Sequence, residues 1–188
     1  MLGLGLGLDR GGYVKAPLPS KVLYERDGNF TGFDPVFFGT TNCAVAFSVD
    51  TFAGSSNFLK VTIDSTGSDG IFYLDKSALD GDLDDYYAAR AEGGSFKITL
   101  EYGFPDANTD TGTVSRARVI IGTSAYALGG PAKDTLTTLT RIRAVSLLAD
   151  PSSDADYLKF EFEDVTPNEP VSGDVMYVKR LRVEYIAA

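Results

Sequence analysis

Ser95-Phe96-Lys97-Ile98-Thr99-Leu100-Glu101-Tyr102-Gly103-Phe104 is the stretch that decides the fold. Phe96, Ile98, Leu100, Tyr102 and Phe104 alternate with Lys97, Thr99, Glu101 and Gly103. Successive side chains of an extended strand point to opposite faces. The spacing therefore sets an apolar row against a core and a polar row in water. The same period recurs along the chain. Leu158, Phe160 and Phe162 alternate with Lys159, Glu161 and Glu163, and Leu59, Val61 and Ile63 oppose Phe58, Lys60 and Thr62. Cys43, Val45, Phe47 and Val49 form another inward set. Val175, Tyr177, Leu181, Val183 and Tyr185 share one parity, broken at Lys179.

Between these runs lies turn chemistry. Asp27-Gly28-Asn29 is suited to closing a small hairpin, and Ser65 to Gly70 separates two strands. Asp106 to Gly112, Gly129-Gly130-Pro131, Asp150 to Asp154 and Pro167 to Gly173 mark further loops. The count predicts an all-β chain of about eight to ten antiparallel strands, a β-sandwich or jelly roll. One helical piece is possible over 79–91, but its aspartates leave no clear apolar stripe. The expected organisation is a single domain over 15–188, preceded by an extended N-terminal arm over 1–14.

Bulk properties exclude several function classes. The 188 residues carry a net charge of −9, which argues against binding to nucleic-acid backbones. No apolar run approaches the roughly 20 residues of a membrane-spanning helix, and no secretion signal is expected. Histidine is absent and Cys43 is the one cysteine, so Ser-His and Cys-His nucleophiles and the common zinc sites are excluded. Cys43 lies in the run Cys43-Ala44-Val45-Ala46-Phe47 and reads as a small buried hydrophobe. The remaining chemistry is that of carboxylates. With 26 acidic residues some close pair is expected by chance, so their number does not indicate a glycosidase. No catalytic residue, cofactor or metal is expected.

Residues 1–8, Met1-Leu2-Gly3-Leu4-Gly5-Leu6-Gly7-Leu8, are unusual in alternating leucine with glycine. As a strand, this places Leu2, Leu4, Leu6 and Leu8 on one side and bare backbone on the other. Glycine carries a large ordering entropy and nothing polar solvates the leucines, so such a ribbon needs a surface to lie against. Strand addition to another subunit supplies one. Gly3-x-Gly5 lacks the flanking strand, the third glycine and the helix of a dinucleotide loop.

Asp80-Gly81-Asp82-Leu83-Asp84-Asp85 is the densest acidic run. It fails the twelve-residue calcium loop, because Asp85 stands at the required glycine and Ala91 at the bidentate glutamate. It is expected to be a solvated turn, with a looser calcium site as the alternative. Tyr86 and Tyr87 follow it, suited to stacking on a sugar ring or covering a core edge. Phe30, Phe33, Phe37 and Phe38 cluster in a Gly/Pro-containing segment. Core burial is the first expectation for them; a second partner-contact strip of Phe33, Phe37 and Phe38 is the other. Arg116 with Arg118, and Arg141 with Arg143, share strand faces that are either solvated or paired with acids of a neighbour.

Two resemblances extend this reading. The stretch from Ala44 to Tyr185 resembles the β-jelly-roll type of carbohydrate-binding module, through Phe58 to Thr62, Ser95 to Leu100, Thr135 to Ser146, Tyr157 to Phe162 and Met176 to Val183. It departs from that type at Lys179, where the family usually has aspartate, and in lacking tryptophan. The resemblance implies the fold more strongly than sugar binding, for which Tyr86 and Tyr87 are the candidates. Leu2 to Gly12 resembles the opening of small structural proteins of tailed bacteriophage particles. Together they imply a non-enzymatic virion component, a capsid-decorating, neck or tail accessory protein. Its expected partners are other virion subunits and further copies of itself, with no nucleic acid and no membrane. Leu2, Leu4, Leu6, Leu8, Phe33, Phe37 and Phe38 are the expected contact residues.

Overall fold

The computed structural model describes residues 19–32, 38–64, 66, 69–74, 93–105, 117–121, 124–127, 135–144, 158–162 and 172–188. Among them are eleven strands: β1 (Lys21–Asp27), β2 (Phe38–Thr41), β3 (Cys43–Ser48), β4 (Phe58–Ile63), β5 (Gly70–Leu74), β6 (Ser95–Gly103), β7 (Ala117–Ile121), β8 (Ser124–Ala127), β9 (Thr137–Ala144), β10 (Leu158–Phe162) and β11 (Val175–Ile186). The fold is all-β, as the alternation predicts, and short strands such as β2 and β8 carry the count past ten.

The strands form two antiparallel sheets, β3-β4-β11-β6-β9 with β1 also on β11, and β2-β5-β10-β7-β8. The order encodes a jelly roll. β7 pairs β8, β6 pairs β9, β5 pairs β10 and β4 pairs β11, so residues 58–186 form one long hairpin wound across both sheets. β2 and β3 prolong it by one step on β5 and β4.

The two sheets face one another across a single core. Leu59, Val61, Ile63, Ile98, Leu100, Tyr102, Val178 and Leu181 of one sheet meet Phe38, Phe72 and Phe160 of the other. Phe72 and Phe160 are fully buried and stack, with centroids 4.5 Å apart and ring planes 11° from parallel. The inward row expected from the deciding stretch is buried throughout, from Phe96 to Phe104.

β11 departs from its expected single parity. Val178 faces Tyr102 of β6, whereas Arg180 faces Glu101, so Lys179 is an extra residue, a β-bulge. The bulge exchanges the faces. Before it, Met176 and Val178 point into the core; after it, Leu181, Val183 and Tyr185 do. Val175 and Tyr177 therefore lie on the outer face, in a second cluster with Phe52, Phe58 and Leu136. Phe58 is fully buried there rather than wet.

The bulge also marks a change of neighbour. Residues 175–178 pair with β4 and residues 180–185 with β1, on the same side of β11. Asp27-Gly28-Asn29 does not close a hairpin. Gly28, at φ +74°, turns the chain off β1 and donates its N–H to the Lys179 carbonyl at 3.0 Å. β1 has its own bulge between Val22 and Tyr24, which leaves Leu23 and Tyr24 both buried.

Deleting Lys179 should prevent folding, because a one-residue slip turns one half of β11 inside out. Lys179→Ala keeps the backbone count and should fold with a loss of about 1–2 kcal/mol, because it removes the ammonium from over the Phe58 ring and from the Ser56 carbonyl, to which it donates. Thermal melts of both variants check this; a deletion variant that melts like the parent contradicts it.

Candidate functional site

Beyond the bulge, the even residues of β11 face outward and organise a shallow polar groove. Glu25 and Asp27 of β1, Arg180, Arg182 and Glu184 of β11, and Lys97 and Thr99 of β6 line about 240 Å³. Strand register makes the pairs. Glu25 lies opposite Arg182, Asp27 opposite Arg180, and Glu184 opposite Lys97. Arg180 Nε donates to Asp27 Oδ1 at 2.6 Å, and Lys97 Nζ lies 3.2 Å from Glu184 Oε2. Arg182 spans two acids, Glu25 at 2.6 Å and Glu184 at 2.8 Å.

Three cations therefore meet three carboxylates, and the lining is neutral overall. Hydrogen bonds from Arg182, then from Lys97, hold the Glu184 carboxyl below its ordinary range. The same acids raise the Arg182 guanidinium. A glycosidic general acid needs the opposite shift, a carboxyl pushed up. Glu184 is thus held as a hydrogen-bond acceptor for its two cations. Arg182 Nε is buried and meets no acceptor among the described residues.

Next to this groove the outer face is aromatic and covered. The connection from β3 to β4 folds back over it through a tight turn, where Phe52 and Ser55 exchange N–H···O bonds of 2.9 Å in both directions. Ala53 and Gly54 take φ +49° and +73°, as a two-residue type I′ turn requires. Phe52 stacks on Tyr177 at 5.0 Å and meets Phe58 edge-on at 6.1 Å. Gly103 makes room for it, since a Cβ there would lie 2.5 Å from the Phe52 ring. Asp50 latches the connection, accepting from the Tyr177 hydroxyl at 2.8 Å and from Lys60 at 3.0 Å. Lys179 lies over the Phe58 ring at 5.1 Å.

The third feature is the edge strand β3. Val45 packs against the core, but Phe47 is 36% and Val49 68% exposed, so the inward set expected there is only partly covered. Ala44 and Ala46 are exposed on the other face. β3 carries no charge along Cys43–Ser48, whereas the opposite edge, β9, carries Arg141 and Arg143. Cys43 is buried as expected, donates its thiol to the Ile71 carbonyl at 3.1 Å, and is pushed up to about 11 by burial.

The other sequence candidates divide. Phe38 belongs to the core, 6% exposed and edge-on to Tyr24 at 6.3 Å; the fold uses its ring, which corrects its reading as a partner contact. Phe30 is fully buried. Leu2, Leu4, Leu6, Leu8, Phe33, Phe37, Tyr86, Tyr87, the Asp80–Asp85 run and Arg116 lie outside the described residues. Arg141 donates to the Thr140 carbonyl at 2.9 Å. Sequence reasoning missed the groove. Its one local signal is the Arg180, Arg182, Glu184 alternation; the partners stand far away in the chain.

Fold and groove define a jelly-roll module with an internally neutralised polar face. No family model and no curated protein matches the chain. Among solved structures, it is similar to the enzymatically active domain of tailspike protein 4 of bacteriophage CBA120, with a TM-score of 0.44 and 11% identity. The match covers 87% of this chain and 21% of that one.

The Asp50 latch makes stability depend on pH at both ends. Its partners lower Asp50 to about 2, so its contribution is complete above about pH 4 and is lost as pH falls toward 2. Burial and Asp50 raise Tyr177 to about 12, so that contribution is complete below about pH 10 and is lost as pH rises toward 12. Asp50→Asn should lower the melting temperature at pH 7 by about 2–4 °C, as for a loss near 1 kcal/mol. It should also flatten the melting profile between pH 4 and 2, whereas Tyr177→Phe should flatten it above pH 10.

Proposed function

We propose that this chain is a non-enzymatic structural component of a phage particle, a jelly-roll body fixed to neighbouring subunits through Leu2 to Leu8. The observation that carries the reading is the Leu/Gly alternation of that segment joined to this body. A ribbon of leucines with a bare glycine face gains from burial only where another surface covers it. Backbone hydrogen bonds would give the contact its general affinity, and alternate leucines would fill apolar pockets. Many copies in one particle would raise a modest contact to a firm one by avidity. The likeness of Leu2 to Gly12 to the openings of small phage structural proteins supports placement in a particle. The ion-paired groove supports a non-catalytic role, since Arg182 and Lys97 hold the Glu184 carboxyl below its ordinary range.

A second reading is carbohydrate binding, at a fibre tip or as a free module. The neutral groove and the unsatisfied Arg182 Nε favour it, as they suit an uncharged polyol. A chain starting at Lys15 separates the two. The structural reading expects that shortened chain to melt like the parent and to be missing from purified particles by mass spectrometry. Its normal incorporation contradicts the reading. Binding on a glycan array, retained without residues 1–14 and lost in Arg182→Ala, would establish the second.

A further inference from the structure

We infer that the edge strand β3 is the receptor for Leu2 to Leu8 of a second copy of this chain, which adds to the sheet as a strand beside it. The inference rests on the anchoring role proposed above for that segment and names its docking site. Three observations carry it.

The first is the character of the edge. Native sheets protect exposed edges with charge, proline, bulges or shortness. Among the described strands, β9 carries arginines, and β2 and β8 are four residues long. β3 is six residues long, Cys-Ala-Val-Ala-Phe-Ser, with neither charge nor proline.

The second is the match of side chains. On β3 the large residues, Val45 and Phe47, point to the core side, with Val49 following at the rim, and the small ones, Ala44 and Ala46, point away. Phe47 and Val49 remain open at 36% and 68% exposure. A strand alternating leucine and glycine repeats this profile. Its leucines would cover Phe47 and Val49, and its glycines would lie beside the alanines. Leu2 to Leu8 is also close to the length of β3 and, like it, uncharged.

The third is direction. The chain enters β1 at Lys21, opposite Tyr185, where Ser20 Oγ accepts from the Ala187 N–H at 3.1 Å. β3 and β4 flank the other half of β11, residues 175–178. About seven strand residues, near 23 Å, separate the two places along β11. In antiparallel addition Leu8 would stand at the Cys43 end of β3, about 35 Å from Lys21 and most of the full reach of residues 9–20, whereas the β3 of a neighbour makes no such demand.

The test uses the full-length chain. Self-association is measured by analytical ultracentrifugation for the parent, the chain starting at Lys15, Val49→Lys alone and Phe47→Lys/Val49→Lys together. Val49 is open enough for its lysine variant to fold, and melts verify this. In parallel, 15N-labelled Leu4→Cys is mixed with unlabelled Val49→Cys under mild oxidation. The inference expects the parent to associate, the Lys15 chain to be monomeric, and the lysine variants to weaken association by about tenfold or more. It also expects a disulfide between labelled and unlabelled copies. Unchanged association in the lysine variants, or residue 4 bridging to residue 49 of the same molecule in a double-cysteine chain, overturns the docking site and leaves the segment's anchoring role standing. A Lys15 chain that associates and incorporates as the parent does overturns both.

Discussion

The bulge at Lys179 is the constraint on which the rest of this structure depends. Among the described strands, β11 is the one hydrogen-bonded to three others, β4, β1 and β6. Its two halves must each present an apolar row to the same core, yet their flanking strands differ. The extra residue solves this by reversing parity where β4 gives way to β1. Met176 and Val178 fill the core on one side of it, Leu181, Val183 and Tyr185 on the other. The outer face is divided by the same event. Before the bulge it carries Val175 and Tyr177, which need the Phe52 cover; after it come Arg180, Arg182 and Glu184, which need acids and bases opposite them. An aromatic patch and a charged groove thus lie end to end along one strand.

The jelly roll and its edges follow from winding one long hairpin. Each turn of the winding places a pair of strands side by side, and the last step, β2 with β3, leaves its outer sides without a further partner among the described strands. Phe47 at the end of β3 and Val49 just beyond it stand exposed at this rim. The edge that β3 presents among the described strands is therefore a product of the topology, and its uncharged sequence distinguishes it from β9.

Much of this was legible in the sequence where the cause was local. Period-two alternation identified β6, β4 and β10 and the buried rows Phe96 to Phe104 and Leu59 to Ile63, because pleating alone fixes which side chains share a face. The parity break at Lys179 was visible, but its meaning was not. A bulge and a single outlying residue look alike until the partner strand is known. Phe58 was misassigned to water because the cover over it comes from Phe52 in a loop. Phe38 was offered as a contact residue because its Gly/Pro surroundings suggest a loop, whereas β5 pairing turns it inward. The groove was illegible for a plainer reason: Arg180 and its partner Asp27 stand 153 residues apart.

Hydrogen–deuterium exchange of the full-length chain across an association series tests the central claim most directly. The account predicts that amides of Leu2 to Leu8 exchange as an open chain does in dilute solution and slow by orders of magnitude on association, together with those of Ala44 to Phe47. Leu2 to Leu8 amides that stay fast in the associated state, or that are equally slow at every concentration, would contradict it.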